Sequence, residues 1–429
     1  MAFPPLNLNE AETMVFDSLK AYPFAFKVLV TSALIENTAF GLIIPFLTLY
    51  MMDDIHLSAP LAGVILMSYT VSGIPAMVVG GMLADKIGRR PVLLMSLGLM
   101  SFTTLMYFFV NSFWTLLVVA LVDSFVGSMY MPAANAMIAD VIIPAERPKA
   151  FSILRIGWNV GIILGPVMGA IIVAALSMKF IFVFGSGILL AAFFMNLVFI
   201  PETRPSETGD EITFRKVLSV GRDKPFFLLT ALSGVFWFFF SQWMSVLPVY
   251  STTKLGVEEY SFGVLFAVSA LMTVLFQVWV TSKMMDYTRS SVLMVGQIIA
   301  SAGFSLIFLA TDFYSLLACI VVITVGEIVY MSMISTVIAD LAPEARRGLY
   351  MGFGGFIQTL GSGLGFLFGM WLLDFLVQKE YVWLVFGAIG FATCVGYLFF
   401  SRMVGLEVNH PSKHKATMVL PYTKDFKEI

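Results

Sequence analysis

Long apolar stretches alternate with short polar turns along the whole chain. A membrane-spanning helix needs about 20 mostly apolar residues, and stretches longer than that fit tilted helices whose ends project beyond the hydrocarbon. The pattern therefore predicts an all-α integral membrane protein with twelve transmembrane helices. These predicted spans cover residues 24–50, 59–84, 91–110, 113–141, 149–175, 178–200, 225–250, 259–285, 290–310, 313–340, 347–376 and 381–401.

Composition and charge support this class and orient the chain. Hydrophobic residues make up 59% of the chain and charged residues 12%, whereas soluble domains average about 25% charged residues. Of the 25 Lys and Arg residues, only Lys179, Lys254 and Lys379 fall on the side opposite the termini. The positive-inside rule then predicts a multi-pass protein of the cell membrane with both termini in the cytoplasm.

The longest polar interruption between spans divides them six and six. It predicts a six-helix bundle over 1–200, a cytoplasmic linker over 201–224, a second bundle over 225–402 and a cytoplasmic tail over 403–429. A constant offset of 200 relates the two halves. The matching pairs are Tyr130 with Tyr330, Asp140 with Asp340, Arg147 with Arg347, Gly161 with Gly361, Gly165 with Gly365, and Gly169 with Gly369. Parallel repeats of this kind place a substrate site near the midplane between the halves, which rock to expose it.

The turn between spans 2 and 3 reads Gly-Met-Leu-Ala-Asp-Lys-Ile-Gly-Arg-Arg over residues 81–90. It resembles the signature that the major facilitator superfamily carries in its cytoplasmic loop between helices 2 and 3. Glycines there allow close helix approach and a sharp turn. The resemblance implies that Asp85 contacts the start of helix 11, near residues 346–350, and that Arg89 meets Asp140. The predicted gating residues are Gly81, Asp85, Gly88, Arg89, Arg90 and Asp140.

Span 5 carries a glycine ladder interrupted by proline. The residues of the ladder are Gly161, Gly165, Pro166 and Gly169. The ladder resembles the helix 5 motif of proton-coupled antiporters in that superfamily, although Ala170 replaces the final glycine of the motif. Glycines four apart let another helix approach closely. We therefore expect the glycine faces of helices 5 and 11 to pack against helices 8 and 2 of the other half.

Four ionisable residues lie inside the spans, where charge is costly and a functional role is the default hypothesis. The predicted proton-coupling residues are Glu36, Glu327, Asp123 and Arg155. Asp123 and Arg155 have an alternative interpretation as a structural ion pair, or as a pair separated by water. Asp123 also stands where the helix 4 motif of the superfamily usually has arginine, so that arginine's coupling role does not carry over.

The seventh span is rich in aromatic residues and should border the cavity in this architecture. Aromatic faces attract cations, and methionine-rich surfaces adapt to varied shapes. With two carboxylates at midplane, such a wall suits lipophilic neutral or cationic compounds. The predicted substrate-binding residues are Asn37, Tyr130, Trp237, Gln242, Trp243 and Tyr330.

These features predict a secondary active transporter of the multidrug efflux type, which exchanges protons for lipophilic small molecules by alternating access. The alternatives are the same fold moving a specific metabolite or lipid, and a nontransporting membrane sensor. The spans contain no catalytic cluster of an enzyme, and we expect no cofactor or metal. The predicted partners are the small-molecule substrate, protons and the lipid bilayer, with no nucleic acid, and the protein is predicted to be a monomer.

Overall fold

The computed structural model describes residues 22–143, 146–203, 220–258, 261–285, 287–343 and 347–409. In this part of the chain each of the twelve predicted spans is a helix, and no strand is present. The helices are α1 Phe24–Leu49, α2 Ala59–Ile87, α3 Arg89–Met106, α4 in two segments Phe113–Ser128 and Tyr130–Val141, α5 Arg147–Ala175, α6 Phe180–Phe199, α7 in two segments Lys224–Phe240 and Val246–Thr253, α8 Ser261–Met284, α9 Arg289–Leu306, α10 Phe313–Leu341, α11 Arg347–Phe375 and α12 Tyr381–Met403.

Length and composition make eleven of these described helices able to cross a membrane. The twelfth, α8, is 24 residues long, and its apolar stretch covers Ser261–Gln277. The structure therefore confirms the predicted all-α membrane architecture. A short helix, α13, follows α12 at Leu406–Asn409.

Prolines explain where two of the long helices are interrupted. Helix α4 breaks at Met129, and Pro132 lies just beyond the break. Because Pro132 has no N–H, it cannot bond to the carbonyl four residues earlier, at Ser128. The same reasoning applies to α7, where Pro248 leaves the carbonyl of Met244 without its helical donor.

A side chain of α1 takes the place of the missing donor in α7. The hydroxyl of Thr48 donates to the Met244 carbonyl over 3.1 Å. Because an unsatisfied carbonyl costs several kcal/mol in hydrocarbon, this bond stabilises the irregular stretch that begins at Ser241–Trp243. Both residues belong to the same compact unit of the structure.

The offset of 200 extends beyond the helices in which the sequence first reveals it. Helix α3 ends in a tight 3-10 turn at Tyr107–Phe109, and α9 ends in the same way at Ile307–Leu309. The following helices begin at equivalent caps. Ser112 accepts from the backbone of its own α4, and Asp312 does the same for α10. The two halves of the chain thus share local structure as well as residue type.

The contacts of the chain divide it into two compact units. The first contains Met1–Ile44 and Ser72–Glu211, and the second contains Pro45–Val71 and Ile212–Ile429. The apolar core of the first unit joins helices α1 to α6, through residues that include Leu29, Ala76, Leu97, Met137, Leu154 and Ala192. The division into halves at the 201–224 linker stays a prediction from the repeat.

Candidate functional site

The charged turn between α2 and α3 is organised around Arg89, which is 5% exposed. Its guanidinium donates to the carbonyl of Ala84 over 2.7 Å, and it pairs with Asp85 at 3.0 Å and with Asp140 at 3.1 Å. The predicted contact between Arg89 and Asp140 is confirmed. Gly88 has a φ of 110°, a conformation that glycine adopts without strain.

Two residues at the start of the linker complete this turn, and sequence reasoning missed both. Glu202 accepts from the backbone N–H of Arg89 over 2.9 Å, so a carboxylate lies at the positive N-terminus of α3. Thr203 donates to Asp140 over 3.0 Å. A side chain at Gly88 would collide with the Glu202 carboxylate. A carboxylate directly after α6 was the available signal, but nothing in the sequence indicated which helix it would cap.

The close helix approach expected at Gly81 is found one residue earlier. A Cβ at Gly80 would lie 2.7 Å from the Cα of Met129, whereas one at Gly81 would meet nothing nearer than Pro132 at 3.9 Å. The glycine expected to permit close approach is therefore Gly80, and that assignment for Gly81 is wrong. Arg90 donates to the carbonyl of Leu197 over 2.7 Å.

The equivalent turn of the second unit keeps the ion pair but not the glycine. Arg289 pairs with Asp340, which matches Arg89 and Asp140 at the offset of 200. Thr288, in the place of Gly88, has a φ of −63°. The predicted contact of Asp85 with residues 346–350 stays a prediction, and Arg346 lies outside the described residues.

The glycine ladder of α5 packs against α1 in its own unit. A Cβ at Gly165 would lie 2.5 Å from the backbone nitrogen of Leu42 and 2.6 Å from the carbonyl oxygen of Thr38, and one at Gly161 would collide with the carbonyl of Leu34. The prediction that this face packs against helix 8 of the other half is therefore wrong. Gly169 is buried as well.

The ladder of α11 makes the equivalent contacts with α7. A Cβ at Gly361 would collide with the carbonyl of Gly234, and one at Gly365 with the carbonyl of Phe238. Both pairs match those of α5 and α1 at the offset of 200. The α11 contact with α2 that we expected for this ladder instead uses a different glycine, Gly363, whose Cβ would lie 3.5 Å from Val71.

The two midspan glutamates differ in their surroundings. Glu36 is half-buried and accepts from the side-chain amide of Asn37 over 3.0 Å. Glu327 is also half-buried, next to Gly326, where α10 meets the backbone of Ala300 in α9. Among the hydrogen bonds and ion pairs between described residues, none pairs either glutamate with a cation.

Asp123 and Arg155 do not form the ion pair that was the alternative interpretation. Asp123 is 6% exposed and accepts a hydrogen bond from Thr103 of α3. Arg155 is exposed. The direct ion pair is thus wrong, whereas the pair separated by water and a coupling role for each residue stay predictions.

Five of the six predicted substrate-binding residues are buried. Gln242 donates to the carbonyls of Phe238 at 2.8 Å and Gly365 at 2.9 Å, so it ties α7 to α11. Trp243 packs edge-on against a phenylalanine of α8, with ring centroids 4.9 Å apart. Trp237 alone among the six is partly exposed. The buried members are Asn37, Tyr130, Gln242, Trp243 and Tyr330.

Helix α8 carries a row of polar side chains four residues apart, which sequence reasoning did not single out. The row comprises Ser269, Thr273, Gln277 and Thr281. Ser269 accepts from Thr324 of α10 over 2.9 Å, and the Gln277 amide donates to the α10 carbonyl of Ile328 over 3.4 Å. These two α10 residues lie on either side of Glu327 in the sequence, so the row joins α8 to the midspan part of α10.

Comparisons with known proteins agree with this architecture. The sequence model of the Major Facilitator Superfamily matches residues 29–287 and 244–427. The quinolone resistance protein NorA of Staphylococcus aureus (strain COL) is 24% identical over 352 residues, which cover 82% of this chain and 89% of NorA. A Na⁺, Li⁺, K⁺/H⁺ antiporter of Planococcus maritimus is 25% identical over 376 residues, with 80% and 88% coverage.

Solved structures share the fold at lower identity. A POT family transporter, solved in complex with a thioalcohol-conjugated peptide, superposes with a TM-score of 0.75 at 15% identity. The match covers 90% of this chain and 99% of that transporter.

Proposed function

The chain belongs to the Major Facilitator Superfamily of membrane transporters, and on that premise we propose that it is a proton-coupled antiporter that exports lipophilic neutral or cationic small molecules. It works in the cell membrane as a monomer, with both termini in the cytoplasm. The observation that carries the proposal is the pair of midspan carboxylates, Glu36 and Glu327, neither of which pairs with a cation among the described residues.

An unpaired carboxylate inside a membrane is costly when ionised. Burial therefore favours its neutral form, and a nearby positive charge or water favours its ionised form. A carboxylate in this position binds a proton when its surroundings are dry and releases it when a cationic or bulky substrate arrives. Competition between proton and substrate for one site produces antiport if the site opens to each side in turn.

The direction of transport and the substrate class rest on two further supports. The glycine–proline ladder of α5 resembles that of proton-coupled antiporters, and both relatives above carry names that fit this class. One is an H⁺ antiporter and the other a quinolone resistance protein. The aromatic run Phe236–Phe240 of α7 offers the apolar and π-rich surface that lipophilic cations prefer.

The test is transport by purified protein in proteoliposomes with an imposed proton gradient and a panel of fluorescent dyes. We expect dye to move against its own gradient while protons move down theirs, and a protonophore to abolish that movement. The panel should contain cationic, neutral and anionic dyes of similar size. Accumulation that survives the protonophore would exclude proton coupling, and accumulation of anionic dyes alone would contradict the proposed substrate class.

Replacement of Glu327 by glutamine should separate proton coupling from substrate binding. Its neighbours along α10 are apolar, so Glu327 is the better candidate for the group that holds a proton. We expect Glu327→Gln to abolish proton-driven dye accumulation and to retain dye exchange between two equal pools. Glu258→Gln, at an exposed glutamate outside the helices, is the matched control. Accumulation by Glu327→Gln at the wild-type rate would place the proton site elsewhere, with Asp123 the next candidate.

A further inference from the structure

The side chain of Tyr130 lies in the core of the first unit and is 0% exposed. Its hydroxyl lacks a hydrogen bond of good geometry, although buried hydroxyls in proteins nearly always have a partner. Ser32 and Glu36 lie four residues apart on one face of α1, the helix whose buried residues share a core with Tyr130 and the rest of α4. Of these two groups, Glu36 is the one whose need for a donor changes when it gains or loses a proton.

The repeat gives independent geometric support for a contact between Glu36 and Tyr130. At the offset of 200, Tyr130 corresponds to Tyr330 and Glu36 corresponds to Phe236. In the second unit the ring of Phe236 lies flat on that of Tyr330, with centroids 3.8 Å apart and planes inclined by 2°. The first unit therefore has a carboxylate where the second has a phenyl ring in contact with the tyrosine.

Helices α1 and α7 keep the same register in the two units, so this correspondence holds in space. Gly161 of α5 meets the carbonyl of Leu34, and Gly361 of α11 meets the carbonyl of Gly234. Both partners are separated by 200 residues. The two tyrosines differ in one respect, because Tyr330 accepts a hydrogen bond of 3.0 Å from Tyr397 of α12.

The Glu36 carboxylate has room for a second donor. One oxygen, Oε2, accepts from Asn37 over 3.0 Å, and that amide nitrogen is shared with the carbonyl of Ala33. One neutral N–H satisfies an ionised carboxylate only in part, because each further donor favours the charged form.

We infer that Tyr130 is the positioning residue for Glu36, and that its hydroxyl donates to the carboxylate when Glu36 loses its proton. The Tyr130 hydroxyl keeps its own hydrogen throughout, and the proton that leaves Glu36 passes to water or substrate. The inference rests on the proposed function, because it deepens the role of Glu36 in coupling. It also explains why a fully buried tyrosine stands at a position first assigned to substrate binding.

Other groups around Glu36 do not offer the same interaction in the described part of the first unit. Helix α5 faces α1 with glycines, and its Arg155 is exposed. Helix α6 brings Asn196, which donates to Ser32 over 2.8 Å and does not ionise. Asp123 of α4 is bonded to Thr103. Tyr130 is therefore the ionisable hydroxyl that faces Glu36 from a neighbouring helix.

The experiment is the pH profile of dye transport by Tyr130→Phe in the same proteoliposomes. Loss of the donor makes the ionised form of Glu36 less stable, so we expect the midpoint of the profile to move to higher pH. A tenfold change in proton affinity corresponds to a shift of about one pH unit. Tyr397→Phe is the matched control, because it removes the hydroxyl of a buried tyrosine that donates to another tyrosine and not to a carboxylate, and its midpoint should not move.

A second variant protects the test against misfolding of Tyr130→Phe. Site-specific 3-fluorotyrosine at position 130 preserves size and makes the hydroxyl a stronger donor, so the midpoint should move to lower pH. If neither variant moves the midpoint, the inference is overturned.

Glu36→Gln distinguishes this failure from failure of the proposed function. If Glu36→Gln keeps the wild-type pH profile, Glu36 has no part in coupling, the inference about Tyr130 is overturned, and the proposed function then rests on Glu327 alone. If Glu36→Gln removes the transition while the Tyr130 variants leave it unchanged, the proposed function stands and the role of Tyr130 is excluded. In the Glu36→Gln background, Tyr130→Phe should cause no further change.

Discussion

At the scale of single residues, Arg89 shows how one side chain holds a turn together. Its guanidinium contacts the carbonyl of Ala84 and the carboxylates of Asp85 and Asp140 from one buried position. The planar fork of arginine suits several acceptors at fixed angles, whereas lysine offers a compact point charge. Substitution by lysine therefore keeps the charge and loses the geometry.

We expect Arg89→Lys to destabilise the turn by about 1.5–3 kcal/mol, the scale of a lost hydrogen bond to a charged group. The measurement is thermal unfolding of the detergent-solubilised protein, together with dye transport. Arg90→Lys is the control, since the Arg90 side chain makes one hydrogen bond within the described part of the chain, to the carbonyl of Leu197. Equal stability of the two variants would show that the three-way contact of Arg89 contributes little.

The sequence predicted some of the contacts in this turn and missed others. The motif predicted the pair of Arg89 and Asp140, because its residues and spacing resemble those of a known family. It could not predict Glu202 or Thr203, since a polar residue after a helix has many possible partners until the turn itself is built. The sequence also could not show that the close helix contact lies at Gly80 and not at Gly81. Both residues are glycines, and they differ only in the side of α2 on which they lie.

At the scale of helices, the glycine ladders join α5 to α1 and α11 to α7. Any side chain at Gly165 must push apart two backbones, because atoms of α1 lie within 2.6 Å of its would-be Cβ. We expect Gly165→Ala to lower the melting temperature and the yield of folded protein. Gly187→Ala is the matched control on α6, where a Cβ would meet nothing within 4 Å.

Transport per folded molecule is the second measurement for this pair of variants. Since the ladder packs within one unit, Gly165→Ala should impair folding more than it impairs the transport rate of the molecules that do fold. Normal stability together with slow transport would instead support the interpretation that the ladder is an interface that moves during transport. Helical periodicity revealed the glycine face correctly, but it carries no information about which neighbour that face meets.

At the scale of the whole molecule, the twelve spans and the repeat followed from hydrophobic length and a constant offset. Burial of the predicted binding residues did not follow, because apolar and aromatic residues have similar patterns whether they face a cavity, a neighbouring helix or lipid. Tyr330 and Gln242 illustrate this ambiguity, since both are fully buried despite their polar groups. Only packing decides between these environments.

The gating role of the α2–α3 turn is a prediction about the populations of two states. If Asp85 contacts the start of α11 only in the outward-facing state, Asp85→Asn should shift the population toward the inward-facing state by about 1–2 kcal/mol, a usual scale for coupling between sites. Spectroscopic distances between labels in the two halves measure that shift. Asp374→Asn, at an exposed residue near the other end of α11, is the control. Unchanged distances in Asp85→Asn would exclude the predicted contact.

The polar row of α8 bears on the order in which the chain enters the bilayer. The amide of Gln277 finds its carbonyl partner at Ile328, on a helix synthesised two spans later. Until α10 has been synthesised, that amide and the hydroxyl of Ser269 lack these partners. We therefore expect α8 to pass from the insertion machinery into the bilayer with low efficiency. Chains truncated after α9 should therefore insert α8 less completely than chains truncated after α10, and Gln277→Leu should remove the difference. A glycosylation-mapping assay would measure it, and equal insertion of both truncations would show that α8 enters the membrane on its own.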